Sequence, residues 1–121
     1  DQDKPYIVHN TSGARDHCRY TEGDAELVYR FDISDYQSSL FALSLCSNYL
    51  IEASPDGENW TTVVDFSAES PVRAVANNPA TRVINPAGFD ITDEIYIRMR
   101  NTDPAGGWGG TLSQITVQYL R

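Results

Sequence analysis

The chain has 121 residues and a formal net charge of −8, with Lys4 as its only lysine. This length suits one hydrophobic core, and 40% hydrophobic with 11% aromatic residues is the composition of a folded domain, not of a disordered tail. The acidic balance excludes the attraction to nucleic acid or anionic membranes that clustered Lys and Arg provide, and no apolar run approaches the ~20 residues of a membrane-spanning helix. A single domain over residues 1–121 is expected. The stretch Asp1 to Lys4 carries no signal-peptide pattern, so any export signal is expected to have been trimmed.

Taken in chain order, the dominant periodicity is two. Pro5 to His9 reads as a first strand, followed by a long connection from Asn10 to Gly23. Leu27, Tyr29, Phe31 and Ile33 then alternate with Arg30 and Asp32, the signature of a half-buried strand. The pattern returns at Phe41, Leu43 and Leu45, at Tyr49, Ile51 and Ala53, and at Trp60, Thr62, Val64 and Phe66, which assigns Trp60 to the core. Between the last two runs, Ser54-Pro55-Asp56-Gly57-Glu58-Asn59 has the residues of a hairpin turn. Asn77-Asn78-Pro79 and Asn85-Pro86-Ala87-Gly88 break up the middle region, leaving short elements near Val83 and Phe89 and a short helical stretch at Ala74 to Ala76. Ile95, Ile97 and Met99, then Ile115, Val117 and Tyr119, give two final strands. Seven or eight short antiparallel strands predict an all-β sandwich or jelly roll.

The stretch Tyr49 to Val63 resembles the central hairpin of galactose-binding-like jelly rolls, among them discoidin-type domains and many carbohydrate-binding modules. Glu94 to Arg100, continuing into Asp103-Pro104-Ala105-Gly106-Gly107-Trp108-Gly109-Gly110, is similar to the penultimate strand and glycine-rich loop of accessory modules on secreted polysaccharide-degrading enzymes. Val28 to Asp32 adds to the likeness, which touches most of the chain. The resemblance implies that the first and last strands pair antiparallel, so that the connections 10–23 and 101–110 share one end of the sandwich and the Pro55-Asp56-Gly57 turn lies at the other. Long loops on a rigid sandwich are where binding is usually placed.

Following the same path, Cys18 and Cys46 come to that end, where an oxidising compartment would permit a disulfide; two independent buried thiols are the other reading. The fold implied by the resemblance often carries a structural calcium near its rim, for which Glu22 and Asp24, with Asp16 and Asp103, supply hard oxygen ligands. Solvated carboxylates are the alternative. Zinc is disfavoured because His9, His17, Cys18 and Cys46 lack ligand-pair spacing.

Trp108, between two glycines, is the leading candidate for a platform against a sugar face, with Tyr20 as a second. Plugging the end of the core is the competing role for Trp108. Arg15, Asp16, Arg19 and Asp103 are candidates for paired hydrogen bonds to sugar hydroxyls, and the arginines for clamping a carboxylate; local salt bridges are the alternative. No Gly-x-Ser-x-Gly elbow, phosphate loop or dinucleotide fingerprint occurs, and no carboxylate pair stands out as an acid and base. The expectation is a secreted, monomeric, non-catalytic carbohydrate-binding module whose partners are a polysaccharide and a catalytic domain of the same parent chain. A spacer or protein-interaction sandwich is the alternative.

Overall fold

A computed structural model of the chain describes residues 2–15, 18–68, 80–106 and 109–121. Its strands are β1 (Ile7–Asn10), β2 (Gly13–Arg15), β3 (Cys18–Tyr20), β4 (Leu27–Asp32), β5 (Ser38–Ser47), β6 (Tyr49–Ser54), β7 (Thr61–Asp65), β8 (Ala80–Ile84), β9 (Glu94–Asn101) and β10 (Gly110–Leu120). They form two five-stranded antiparallel sheets, ordered β1-β4-β9-β6-β7 and β2-β3-β10-β5-β8. Among the described residues the helical elements are single 3-10 turns. None is long and apolar enough to cross a membrane. The expected antiparallel β-sandwich is the fold of this chain.

The core lies between the sheets and is built by strand alternation. Leu27, Tyr29 and Phe31 of β4 and Ile95, Ile97 and Met99 of β9 face Phe41, Leu43 and Leu45 of β5, all buried. A bulge between Leu112 and Gln114 keeps both Leu112 and Ile115 on the inner side of β10, opposite Leu45 and Leu43; without an extra residue their odd spacing would put them on opposite faces. The hairpin turn after β6 is closed by Asp56, whose carboxylate accepts the backbone N–H groups of Glu58 and Asn59, each at 2.8 Å. Those bonds, with the Asn59 and Ser54 side chains, hold the Asp56 carboxyl well below the usual carboxylate range. Gly57 completes the turn at φ +80°.

Three expectations are corrected. The first strand does not pair with the last: β1 joins β4, with Ile7 opposite Tyr29, and β10 is flanked instead by β3 and β5. The connection 10–23 is not one open loop, because β2 and β3 form a hairpin within it, Gly13 opposite Tyr20 and Arg15 opposite Cys18. Trp60 is not in the core. A register shift between Ile51, opposite Val64, and Glu52, opposite Thr62, changes which face β7 presents; Val64 packs against the core, whereas Trp60 stands on the outer face with the Arg98 guanidinium 4.1 Å from its ring centre. The stretch at Ala74 to Ala76 lies outside the described residues.

Candidate functional site

Register places one pole of the sandwich. Tyr20 lies opposite Thr111, Gly110 opposite Ser47, Tyr49 opposite Asn101, and Leu27 opposite Met99. The connection 21–26, the described residues of the connection after β9 and the β5–β6 turn therefore lie at one end, and Ser54 opposite Tyr96 sends the Pro55-Asp56-Gly57 turn to the other. Backbone bonds stitch this end: the Thr21 N–H donates to the Gly110 carbonyl at the start of β10 at 2.9 Å, and the Thr102 N–H donates to the Asn48 carbonyl in the β5–β6 turn at 3.0 Å. Gly109 lies so close to the Thr21 backbone that a Cβ would fall 1.2 Å from its carbonyl oxygen.

Tyr20 is half-buried and lies across Gly13, where an added Cβ would come within 2.2 Å of its ring. Glycine at position 13 gives this ring its seat. Asp103 is exposed on the facing connection, and its N–H donates to Asn101 Oδ1 at 3.0 Å, tying the start of the loop to the end of β9. Among the described residues, Thr21 Oγ1 and Asn101 Nδ2 are buried without a hydrogen-bond partner. Trp108 and Asp16 lie outside the described residues. Glu22 and Asp24 are exposed, and among the described residues no three His, Cys, Asp or Glu gather closely enough to hold a metal ion.

Arg19 is not part of the rim. It lies opposite Leu112, on the inner side of β3, and clasps Asp3 through two bonds of 2.6 and 2.9 Å. The Tyr29 hydroxyl donates to the same carboxylate at 2.6 Å. Arg19, helped by Tyr29, holds the Asp3 carboxyl well below the usual carboxylate range, while burial and the carboxylate push the Tyr29 hydroxyl up. The local salt bridge is thus the reading that applies to Arg19. Arg15 ends β2, opposite Cys18, two positions further from the pole than Gly13.

The disulfide is also corrected: Cys18 and Cys46 are thiols. They lie in β3 and β5, and β10 runs between those strands. Two inter-strand spacings are roughly 9.5 Å, beyond the ~7 Å between Cα atoms that a disulfide spans. Burial, with a smaller contribution from Cys18, pushes the Cys46 thiol up and keeps it protonated.

The outer face of the β4–β9–β6 sheet carries a second cluster. Glu52 accepts both Arg98, at 2.9 and 3.0 Å, and Arg100, at 2.7 and 3.1 Å. Burial pushes the Glu52 carboxyl up, but the two guanidiniums outweigh it and the net shift is downward. Trp60, Tyr96, Arg98, Val8 and His9 line a shallow pocket of about 390 Å³ beside this network. Alternation at Tyr96, Arg98 and Arg100 marked the outer face in the sequence; Trp60 joined it through the register shift alone.

Two antiparallel five-stranded sheets in this order form a jelly-roll sandwich. The solved structure of Xyl-CBM35, in complex with a glucuronic acid containing disaccharide, overlays this chain with a TM-score of 0.54 at 8% identity, covering 96% of this chain and 92% of that one. The carbohydrate-binding module CBM6cm-2 from Cellvibrio mixtus lichenase 5A, in complex with cellotriose, gives a TM-score of 0.50 at 11% identity, covering 98% and 95%. The GH115 4-O-methyl-alpha-glucuronidase BtGH115A gives 0.57 at 13% identity over 95% of this chain, which spans only 17% of that larger protein. No protein-family model matches the chain, and its sequence matches no curated protein. Identities this low speak for the fold.

Proposed function

We propose that the chain is a secreted, non-catalytic carbohydrate-binding module that holds a polysaccharide at the loop pole and tethers a catalytic domain of the same parent chain to it. The observation that carries this reading is the stitched mouth. Tyr20 sits on Gly13, Asp103 is exposed on the 102–109 connection, and the sequence of that connection sets Trp108 between glycines. An aromatic ring meets the apolar face of a sugar, and flanking polar groups take its hydroxyls. A shallow site of this kind binds weakly, and tethering converts weak binding into high effective concentration.

Affinity electrophoresis of the full chain through gels containing different polysaccharides, with and without chelator, tests the proposal. The wild-type chain is expected to be retarded by at least one polymer, and Trp108→Ala to lose that retardation while keeping its wild-type melting curve. Unchanged retardation of the variant would remove Trp108 from the site. Absence of retardation on every polymer would shift the reading to a spacer or protein-interaction sandwich.

A further inference from the structure

The last strand is covered unevenly. On one side β5 pairs with β10 from Gly110 opposite Ser47 to Leu120 opposite Ser38. On the other side β3 pairs only with Thr111 and Leu112, so among the described residues no strand covers that side from Gln114 to Leu120. The sandwich is open beside this edge. A groove of about 940 Å³ runs between the sheets, walled by Ile115, Val117 and Tyr119 from β10, by Tyr29 and Phe31 from the facing sheet, and at its side by Gln2, Asp3 and Tyr6 of the segment ahead of β1. Tyr6 and Tyr119 remain 45% and 41% exposed, and Leu120 56%.

An uncovered edge presents a row of N–H and C=O groups that templates another strand, and proteins ordinarily blunt it with charge, proline or a bulge. From Gly110 to Leu120 this strand has no charged residue and no proline, and its bulge lies ahead of the open stretch, between Leu112 and Gln114. We propose that the edge is an interface between two copies of the chain, β10 pairing antiparallel with its twin about a two-fold axis at Val117. Residues opposite each other across an antiparallel pair share a face. Centring on Val117 sets Thr116 against Gln118 on the outer face and Ile115 against Tyr119 on the inner face, where the two grooves merge. The molecule carries a net charge of −8, yet this strand offers its twin no acidic group to repel. The contact is small, so association depends on concentration. It replaces the expected monomer and does not depend on the glycan reading.

Sedimentation velocity of the full chain, from low micromolar to near-millimolar concentration, tests the interface. The wild-type chain is expected to pass from monomer to dimer. Thr116→Lys with Gln118→Lys sets like charges opposite each other twice across the axis and is expected to raise the dissociation constant about tenfold. Thr116→Lys with Gln118→Glu sets opposite charges there and is expected to retain the dimer, which separates an edge effect from damage to the fold. A wild-type chain monomeric throughout overturns the proposal and leaves the edge to a strand of another polypeptide. A dimer undiminished in the double-lysine variant overturns it as well, since another surface must then hold the pair.

Discussion

Gly109 offers a direct test of the seam that draws the two long connections to one pole. A Cβ on Gly109 would sit 1.2 Å from the Thr21 carbonyl oxygen and 2.3 Å from its carbon, where ordinary contact begins near 3.4 Å. Roughly 2 Å of separation must therefore open between two backbones, neither of which can swing aside as a flexible side chain does. Overpacking of this kind costs about 1–3 kcal/mol, and losing the adjoining Thr21-to-Gly110 hydrogen bond adds about 1 kcal/mol. Gly109→Ala is thus expected to destabilise the fold by about 2–4 kcal/mol, which for a domain of this size lowers the melting temperature by about 10 °C. Gly88→Ala is the matched control, since nothing lies within 4 Å of its added Cβ; there alanine only restricts the unfolded chain and is neutral or mildly stabilising. Circular dichroism melts and urea titrations of the two variants beside the wild type measure the difference. Equal melting temperatures for Gly109→Ala and the wild type would refute the seam.

Two further outcomes follow from the described geometry. Glu52→Gln removes the carboxylate shared by Arg98 and Arg100 and is expected to cost about 2 kcal/mol in urea titration, less than a fully buried pair because Arg100 remains partly exposed. Its pH dependence has a definite sign: the folded Glu52 carboxyl is shifted downward, so the stability it contributes is present above the ordinary glutamate range and is lost as pH falls through the folded value. The wild type should accordingly lose more of its advantage over Glu52→Gln in acid than at neutral pH, and parallel curves would contradict the assigned network. For Cys18 and Cys46, mass spectrometry after alkylation without reductant should find two modified thiols, and reductant should leave the melting temperature unchanged; a mass showing neither thiol alkylated would restore the disulfide.

The strands, the turn at Pro55 to Asn59 and most of the core were legible in the sequence because each depends on neighbours a few residues apart. Alternation at Leu27, Tyr29 and Phe31 names the buried face of β4 without reference to its partners. Asp56 and Gly57 are likewise suited to a turn by chemistry they carry themselves. The candidate site was legible in part. Register at Tyr20 and Asn101, together with the bond from Thr21 to Gly110, brings residues 21–26 and the start of the connection after β9 to one pole, but the β2–β3 hairpin takes up much of the expected 10–23 loop, and the same register turns Arg19 inward to Asp3 and keeps β10 between Cys18 and Cys46.

What the sequence by itself determined was an acidic, single-core, antiparallel β chain, since composition, period and turn residues are local properties. Only the tertiary structure decided which strands are neighbours and where a bulge shifts the alternation. It made β3, not β1, the neighbour of β10 and put Trp60 outside the core. The physical reason is that side chains point to alternate sides with a period of two, so one inserted residue or one exchanged partner redirects every group beyond it.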